Sequence, residues 1–416
     1  MNRKSHKLQS TIALLVGGML LAPGAFAEES DSVIDALKEG TIIFDARFRY
    51  ENVDDQAVER HGKANTLRTR FGYETGTFNG FSALIEGSNT VNIGNERYND
   101  TLNGRINRGV VADPEGTAVN RAFIRYSGIE DTTITAGRQT LILDNERFVS
   151  NTNFRQKQTT HDAVNFTTSF IPHVTVNYSY GWGFNTVTSA DQDAGDFDVS
   201  NNLFNISTDI VPYTKVSGYA YLLDFDDAVE NSLDTYGIHF DGAIPVNDDF
   251  SVVYQGDYAH QDEGDGNEAD IDFDYFLIES GFSWAGVTVK GGFQSLEGDG
   301  TNSFQTPLGD AHPYAGWADV FVATPVDGLE DYYGKVSYLH KINNVDYLES
   351  VNFVAEYHTF ESENGSTDYG DEWDLGIYTK INQYYTVGFE YAKFSADNES
   401  TFEDVDRFWL TLNVAL

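Results

Sequence analysis

The chain has 416 residues and a formal net charge of −39, which excludes a nucleic-acid binder working through a broad basic face. It has no cysteine, so no disulfide framework supports it. Beyond the first thirty residues, no run approaches the roughly 18 apolar residues that a membrane helix needs.

The N-terminus reads "MNRKSHKLQSTIALLVGGMLLAPGAFAEES". Arg3, Lys4 and Lys7 precede a short apolar core, Thr11 to Leu21, and Ala25-Phe26-Ala27 has the small-x-small form of a cleavage site. Residues 1–27 are therefore expected to be a secretory signal peptide, and 28–416 the exported domain.

Period-2 segments then follow one another to the C-terminus, separated by turn residues. The pattern predicts eighteen strands near 41–52, 65–77, 80–90, 118–128, 131–139, 161–171, 173–184, 200–211, 212–224, 232–244, 250–261, 272–284, 285–297, 331–341, 349–361, 371–382, 383–395 and 405–416. Most are long enough for a tilted crossing of about 9–11 residues. In the last, Phe408, Leu410, Leu412, Val414 and Leu416 form one apolar face. Long and short connections alternate. Long loops near 53–64, 91–117, 140–160 and 298–330 face tight turns such as Phe78-Asn79, Pro172 and Asn382. That rhythm, with an even strand number, is expected of a single antiparallel transmembrane β-barrel of the outer-membrane type. A soluble β-sandwich has no reason to keep long loops at one end through nine hairpins.

Strand parity assigns the faces. Ile42, Phe44, Ala46, Phe48 and Tyr50 alternate with Arg47 and Arg49. Leu67, Thr69 and Phe71 alternate with Arg68 and Arg70, and Ala122, Ile124 and Tyr126 with Arg121 and Arg125. An Arg facing lipid at mid-bilayer costs roughly 2–4 kcal/mol, so these six are expected in the lumen. Residues 47–155 balance fourteen basic against fourteen acidic residues, whereas the rest of the exported chain has nine against fifty-one. With Trp373, Leu375 and Ile377 on the lipid side, Glu372 and Asp374 point inward, and Glu356 and Glu390 join them as an opposing acidic wall. Two readings stay open: a cationic lane that guides anions, or braces pairing across the lumen.

The stretch "GRQTLILDNERFVSNTNFRQKQTTHDAV" (137–164) resembles a block of the alginate export family. It carries Gly137-Arg138-Gln139, Arg147-Phe148, Phe154-Arg155-Gln156 and Asp162-Ala163. A second block carries Thr306-Pro307, Gly316-Trp317-Ala318-Asp319, Thr324-Pro325 and Gly328-Leu329. The resemblance implies an eighteen-stranded channel of the bacterial outer membrane, with an arginine-rich constriction passing an anionic polyuronate. It adds Arg138, Arg147 and Arg155 to the pore-lining set and places 137–157 in a loop folded toward the pore. The expected partners are outer-membrane lipid, lipopolysaccharide and a carboxylated oligo- or polysaccharide.

A general diffusion porin without saccharide specificity and a structural or adhesive barrel are the alternatives. No cofactor, metal site or enzyme activity is expected: the histidines are scattered, no G-x-S-x-G is present, and no His pair has metal-ligand spacing.

Overall fold

A computed structural model describes residues 29–188, 195–343, 345, 347–398 and 400–416. The expected signal peptide, residues 1–27, lies outside the described residues.

The eighteen strands form one closed barrel. They are β1 (Thr41–Asp55), β2 (Gly62–Glu74), β3 (Phe81–Asn92), β4 (Gly116–Ile129), β5 (Thr132–Gln139), β6 (Thr160–Thr168), β7 (Val174–Asn185), β8 (Asp196–Thr208) and β9 (Thr214–Leu222). Then come β10 (Leu233–Pro245), β11 (Phe250–Glu263), β12 (Asp272–Trp284), β13 (Val287–Leu296), β14 (Leu329–Lys341), β15 (Ser350–Glu361), β16 (Asp368–Lys380), β17 (Tyr385–Ala396) and β18 (Val405–Ala415). The ends predicted from alternation fall within four residues of these. Each strand pairs antiparallel with its chain neighbours, and β1 pairs with β18 from Asp45↔Ala415 to Asp55↔Val405. Closure leaves no open edge, the condition for a sheet to cross lipid.

Burial follows parity. On β1, Arg47, Arg49, Glu51 and Val53 are buried, while Ile42 is 62% exposed on the outer face. The outer face carries an apolar belt, including Phe71, Ile85, Ile238, Ile278 and Leu375. Exposed aromatics flank it: Phe81, Phe170, Tyr213 and Trp284 at the short-turn end, and Tyr180, Trp182, Tyr258 and Trp373 at the long-loop end. A belt between two aromatic girdles is the lipid-facing pattern of outer-membrane barrels.

The short turns have sequence reasons. Asn79 and Gly80 take φ of 49° and 78° between the bridged Phe78 and Phe81, the conformation of a two-residue hairpin that asparagine and glycine adopt at least cost. An unpredicted helix α1 (Val33–Lys38), capped by Ser32, lies against this turn through Gly76 N–H to the Ala36 carbonyl, 2.8 Å.

The long connections do not simply project. Two of them, 140–159 and 297–328, fold into the barrel. Phe148, Val149, Leu308, Trp317 and Phe321 from these loops join lumenal Tyr219, Tyr275, Leu277, Phe360 and Phe394 in one buried cluster. The core therefore lies inside the barrel.

We expect the long-loop end to face outside the cell. Ile106→Cys and Thr301→Cys, at exposed loop positions, should react with an impermeant thiol reagent on whole cells. Asp248→Cys, in the β10–β11 turn, should react only after the outer membrane is broken. The reverse labelling pattern refutes this orientation.

Candidate functional site

Strands β1–β4 carry a bank of lumenal cations. Arg47 and Arg68 sit directly opposite in register, as do Asp45 and Arg70. Two guanidinium groups face to face repel, and the backbone of the inserted loop offsets this. Arg47 NH1 donates to the carbonyls of Asn153, Phe154 and Arg155 at 2.7, 3.1 and 3.2 Å. Arg49 NH1 donates to the Phe154 carbonyl at 2.6 Å, with its guanidinium 4.3 Å from the Phe154 ring centre. Arg68 reaches the Gln156 carbonyl at 3.4 Å and pairs with Asp45. Four consecutive carbonyls, 153–156, are thus clamped to the wall by three arginines.

Arg70 differs. It is 8% exposed, forms no ion pair among the described residues, and its Nε and one terminal nitrogen have no hydrogen-bond partner there. Beyond it a bulge in β4 leaves Asn120 unpaired between Val119 and Arg121. A bulge re-aims side chains. Here it lets Asn120 (2.6 Å) and Arg121 (3.0 and 2.8 Å) converge on Glu86. Arg125, one third exposed, pairs with Glu74 at 3.0 Å. Between this wall and the inserted loop lies a small cavity of about 20 Å³, lined by Ser88, Asn120, Lys157, Gln158, Thr160 and Asn185.

The six arginines assigned by parity all face the lumen, and the three added by the motif resemblance behave differently. Arg138 is on the outer face: it shares parity with exposed Ala136, whereas buried Thr135 and Gln139 have the other parity, as does Gly137 opposite buried Phe123. It is neutralised by a fork to Asp162, with bonds of 2.9 and 2.7 Å, and does not line the pore. Arg147 does not line it either. It is buried in the loop core, 5.5 Å from the Tyr275 ring centre and 5.2 Å from that of Tyr314. Arg155 is in the lumen but fully engaged, with Glu51 at 3.2 Å and Asp319 at 2.6 Å.

Those last contacts show what the two motif blocks do: each forms one inserted loop, and together they make a joint. Arg155 (first loop) meets Asp319 (second), and Arg407 of β18 meets Glu51 and Asp319 at 3.3 and 3.5 Å. His312 Nδ1 lies 2.8 Å from Asp319, and its ring stacks on Phe154 with centres 3.6 Å apart. Ser150 N–H donates to the Leu308 carbonyl at 2.9 Å, and Asp310 N–H to that of Glu146 at 3.1 Å. Burial works against the Arg155 charge, but Glu51 and Asp319 outweigh it and raise its pKa. Burial likewise works against ionisation of Asp319, yet His312, Arg155 and Arg407 hold that carboxyl below its usual range.

Glu356, Glu372, Asp374 and Glu390 face the lumen as parity predicts, and all are buried. The expectation of an opposing wall is corrected by ring closure. β16 reaches β2 through β17, β18 and β1, four steps in a ring of eighteen where nine would be diametric. Nor do the arginines brace Glu372 or Asp374, since their ion pairs are with Asp45, Glu51, Glu74, Glu86, Asp162 and Asp319. The second loop covers the acidic wall instead. Ala318 N–H donates to Glu372 at 2.7 Å and Trp317 N–H to Asp374 at 3.4 Å. Gly316 (φ 79°) lies so close that a Cβ there would come within 2.6 Å of the Glu372 carboxylate. On the outer face, His260, Asp262 and Asp272 bring ligand atoms within 4.8 Å of one another, and His260 Nδ1 lies 2.9 Å from Asp274.

No protein-family model and no curated protein matches the chain. Solved structures do. Acinetobacter baumannii OccAB2 is 12% identical with a TM-score of 0.73, the match covering 92% of this chain and 98% of that one. Pseudomonas aeruginosa OccK3 (OpdO) is 14% identical with a TM-score of 0.69, covering 92% and 97%. Pseudomonas aeruginosa OpdL is 14% identical with a TM-score of 0.67, covering 91% and 99%. The likeness is one of fold over nearly the whole of each chain.

Proposed function

We propose that this chain is a bacterial outer-membrane channel that passes anionic solutes along the arginine-lined side of its lumen, carboxylates being the preferred class. The observation that carries the reading is the bank of Arg70, Arg121 and Arg125 on one side of the lumen, where Arg125, one third exposed, is open to a solute. A planar fork of donors suits a passing carboxylate. Arg70, buried in the same wall with two nitrogens that no described group claims, adds to the positive potential. The fold shared with OccAB2, OccK3 and OpdL supports a membrane channel. The resemblance of the two loop motifs to the alginate export family supports uronate-like saccharides as the solute. A wide general porin fits less well, since the two inserted loops fill much of the lumen.

Each Arg–carboxylate contact is worth on the order of 1.5–3 kcal/mol where water is limited, and less at Arg125, which is one third exposed. The guidance is therefore transient. Planar-bilayer reversal potentials test it. Arg70→Gln with Arg125→Gln should lower the anion-over-cation permeability ratio several-fold and slow uronate-oligosaccharide flux, with heat-modifiability on gels intact. An unchanged ratio in a folded double variant sinks the proposal.

A further inference from the structure

We infer that the outer face of β11 and β12 carries a binding site for one divalent cation of the first transition row, built from His260, Asp262 and Asp272 with Asp274 behind the histidine. Parity turns these groups outward, since Ala259, Gln261 and Phe273 between them are buried. The register sets Asp262 opposite Asp272 and His260 opposite Asp274, and on the other flank Asp234 stands opposite Asp262. A square of four side chains thus holds three carboxylates and one imidazole, with a further carboxylate at its edge. Like charges facing each other across a ladder repel. The ion pairs of Asp262, Asp272 and Asp274 among the described residues all run to His260, which contributes at most one positive charge.

The donor geometry is that of a shared ion. One ligand atom from each of His260, Asp262 and Asp272 lies within 4.8 Å of the other two. His260 Nε2 is 3.2 Å from Asp262 Oδ1 and 3.8 Å from Asp272 Oδ1, separations suited to donors that each stand about 2.0–2.2 Å from one ion. Asp272, 84% exposed, has room to rotate onto it. His260 Nδ1 lies 2.9 Å from Asp274, whose carboxylate the Tyr258 hydroxyl also holds at 3.0 Å. That fixes the ring with Nε2 facing Asp262 and Asp272, and a carboxylate behind the far imidazole nitrogen is the usual outer shell of a metal-bound histidine. One imidazole with carboxylates suits Zn²⁺ or Mn²⁺ better than Ca²⁺ or Mg²⁺, which take oxygen alone. Three protein donors leave a position open to solvent. His260 stands two residues, about 7 Å of strand, beyond the girdle residue Tyr258 toward the long loops, so hydrated ions reach it without crossing lipid. Strand geometry hides the set from a search for helical spacing, because residues 260 and 262 share a face at i, i+2 and Asp272 arrives from the next strand.

The test is zinc binding by the folded, chelator-stripped, full-length barrel in detergent at pH 7, read by calorimetry and metal analysis. At least one equivalent should bind, and His260→Gln and Asp262→Asn should each lose one. Asp274→Asn should weaken that equivalent by about 10–100-fold. His173→Gln, which breaks an exposed His–Asp pair at a short turn, should keep it. Heat-modifiability on gels checks that each variant is folded. Should His260→Gln not fold, the wild-type barrel supplies a second reading: zinc should protect His260 from diethyl pyrocarbonate, followed by peptide mass spectrometry. No zinc uptake by the wild type overturns the site, with His260 then an imidazolium shared by the three aspartates. Full zinc uptake in His260→Gln overturns it too, as does a loss that His173→Gln reproduces, or equal modification of His260 with and without zinc.

Discussion

Arg155→Met is expected to unlatch the first inserted loop and raise single-channel conductance several-fold, while the barrel remains heat-modifiable. Arg155 and Arg407 face Glu51 and Asp319 in a buried network of two cations and two carboxylates. Removing one member of a buried pair leaves the other charged and unsolvated, a loss of about 3–5 kcal/mol. At roughly 1.4 kcal/mol per factor of ten, that shifts the latched-to-free ratio by about two to three and a half powers of ten. The loss falls on the loop, because the eighteen ladders that hold the barrel do not pass through Arg155. Adding Glu51→Gln should restore much of the latch, since Asp319 then keeps Arg407 and His312 and no carboxylate is stranded. If Arg155→Met alone leaves conductance and loop proteolysis unchanged, the network does not hold the loop.

The same residues show what was legible in the sequence. The strands were, because a closed barrel in lipid imposes strict alternation, and the six arginines on β1, β2 and β4 could be oriented from the cost of exposing them. Arg138 shows where the argument needs parity over motif. It shares parity with Ile134 and Ala136 and faces outward, and its charge is tolerable there because Asp162 is its neighbour in register. What alternation cannot report is the destination of a loop. The two motif blocks stood out as patterns, yet nothing in their spacing says that Arg155 meets Asp319, 164 positions away. Nor does linear order reveal that closure between β1 and β18 brings the acidic strands round beside the basic ones. The lumenal core was equally hidden: Phe148, Leu308 and Trp317 look like ordinary apolar loop residues until the loops turn inward.

The second large effect is a pH response of the loop joint, set by Asp310. Burial pushes this carboxyl from its ordinary 3.8 up to about 6; His312 pulls it down, and Asp319 and Glu146 push it further up. Its backbone N–H holds the first loop at the Glu146 carbonyl, and one of its oxygens accepts from His312 N–H at 3.2 Å. A carboxyl with a raised folded-state value favours the closed joint fully below its free value, and that contribution fades as pH rises through about 6. A shift of this size corresponds to ~3 kcal/mol. Asp319 works in the other sense: its lowered value stabilises the joint at neutral pH and fails only in strong acid, outside the range where Asp310 titrates. Brief openings in single-channel records should therefore be rarer at pH 5 than at pH 7.5, with a midpoint near pH 6. Asp310→Asn keeps the shape and stays neutral, so its openings should be rare throughout that range. A wild-type record with no pH dependence between 5 and 7.5, or an Asp310→Asn record that keeps the wild-type transition, removes Asp310 as its source.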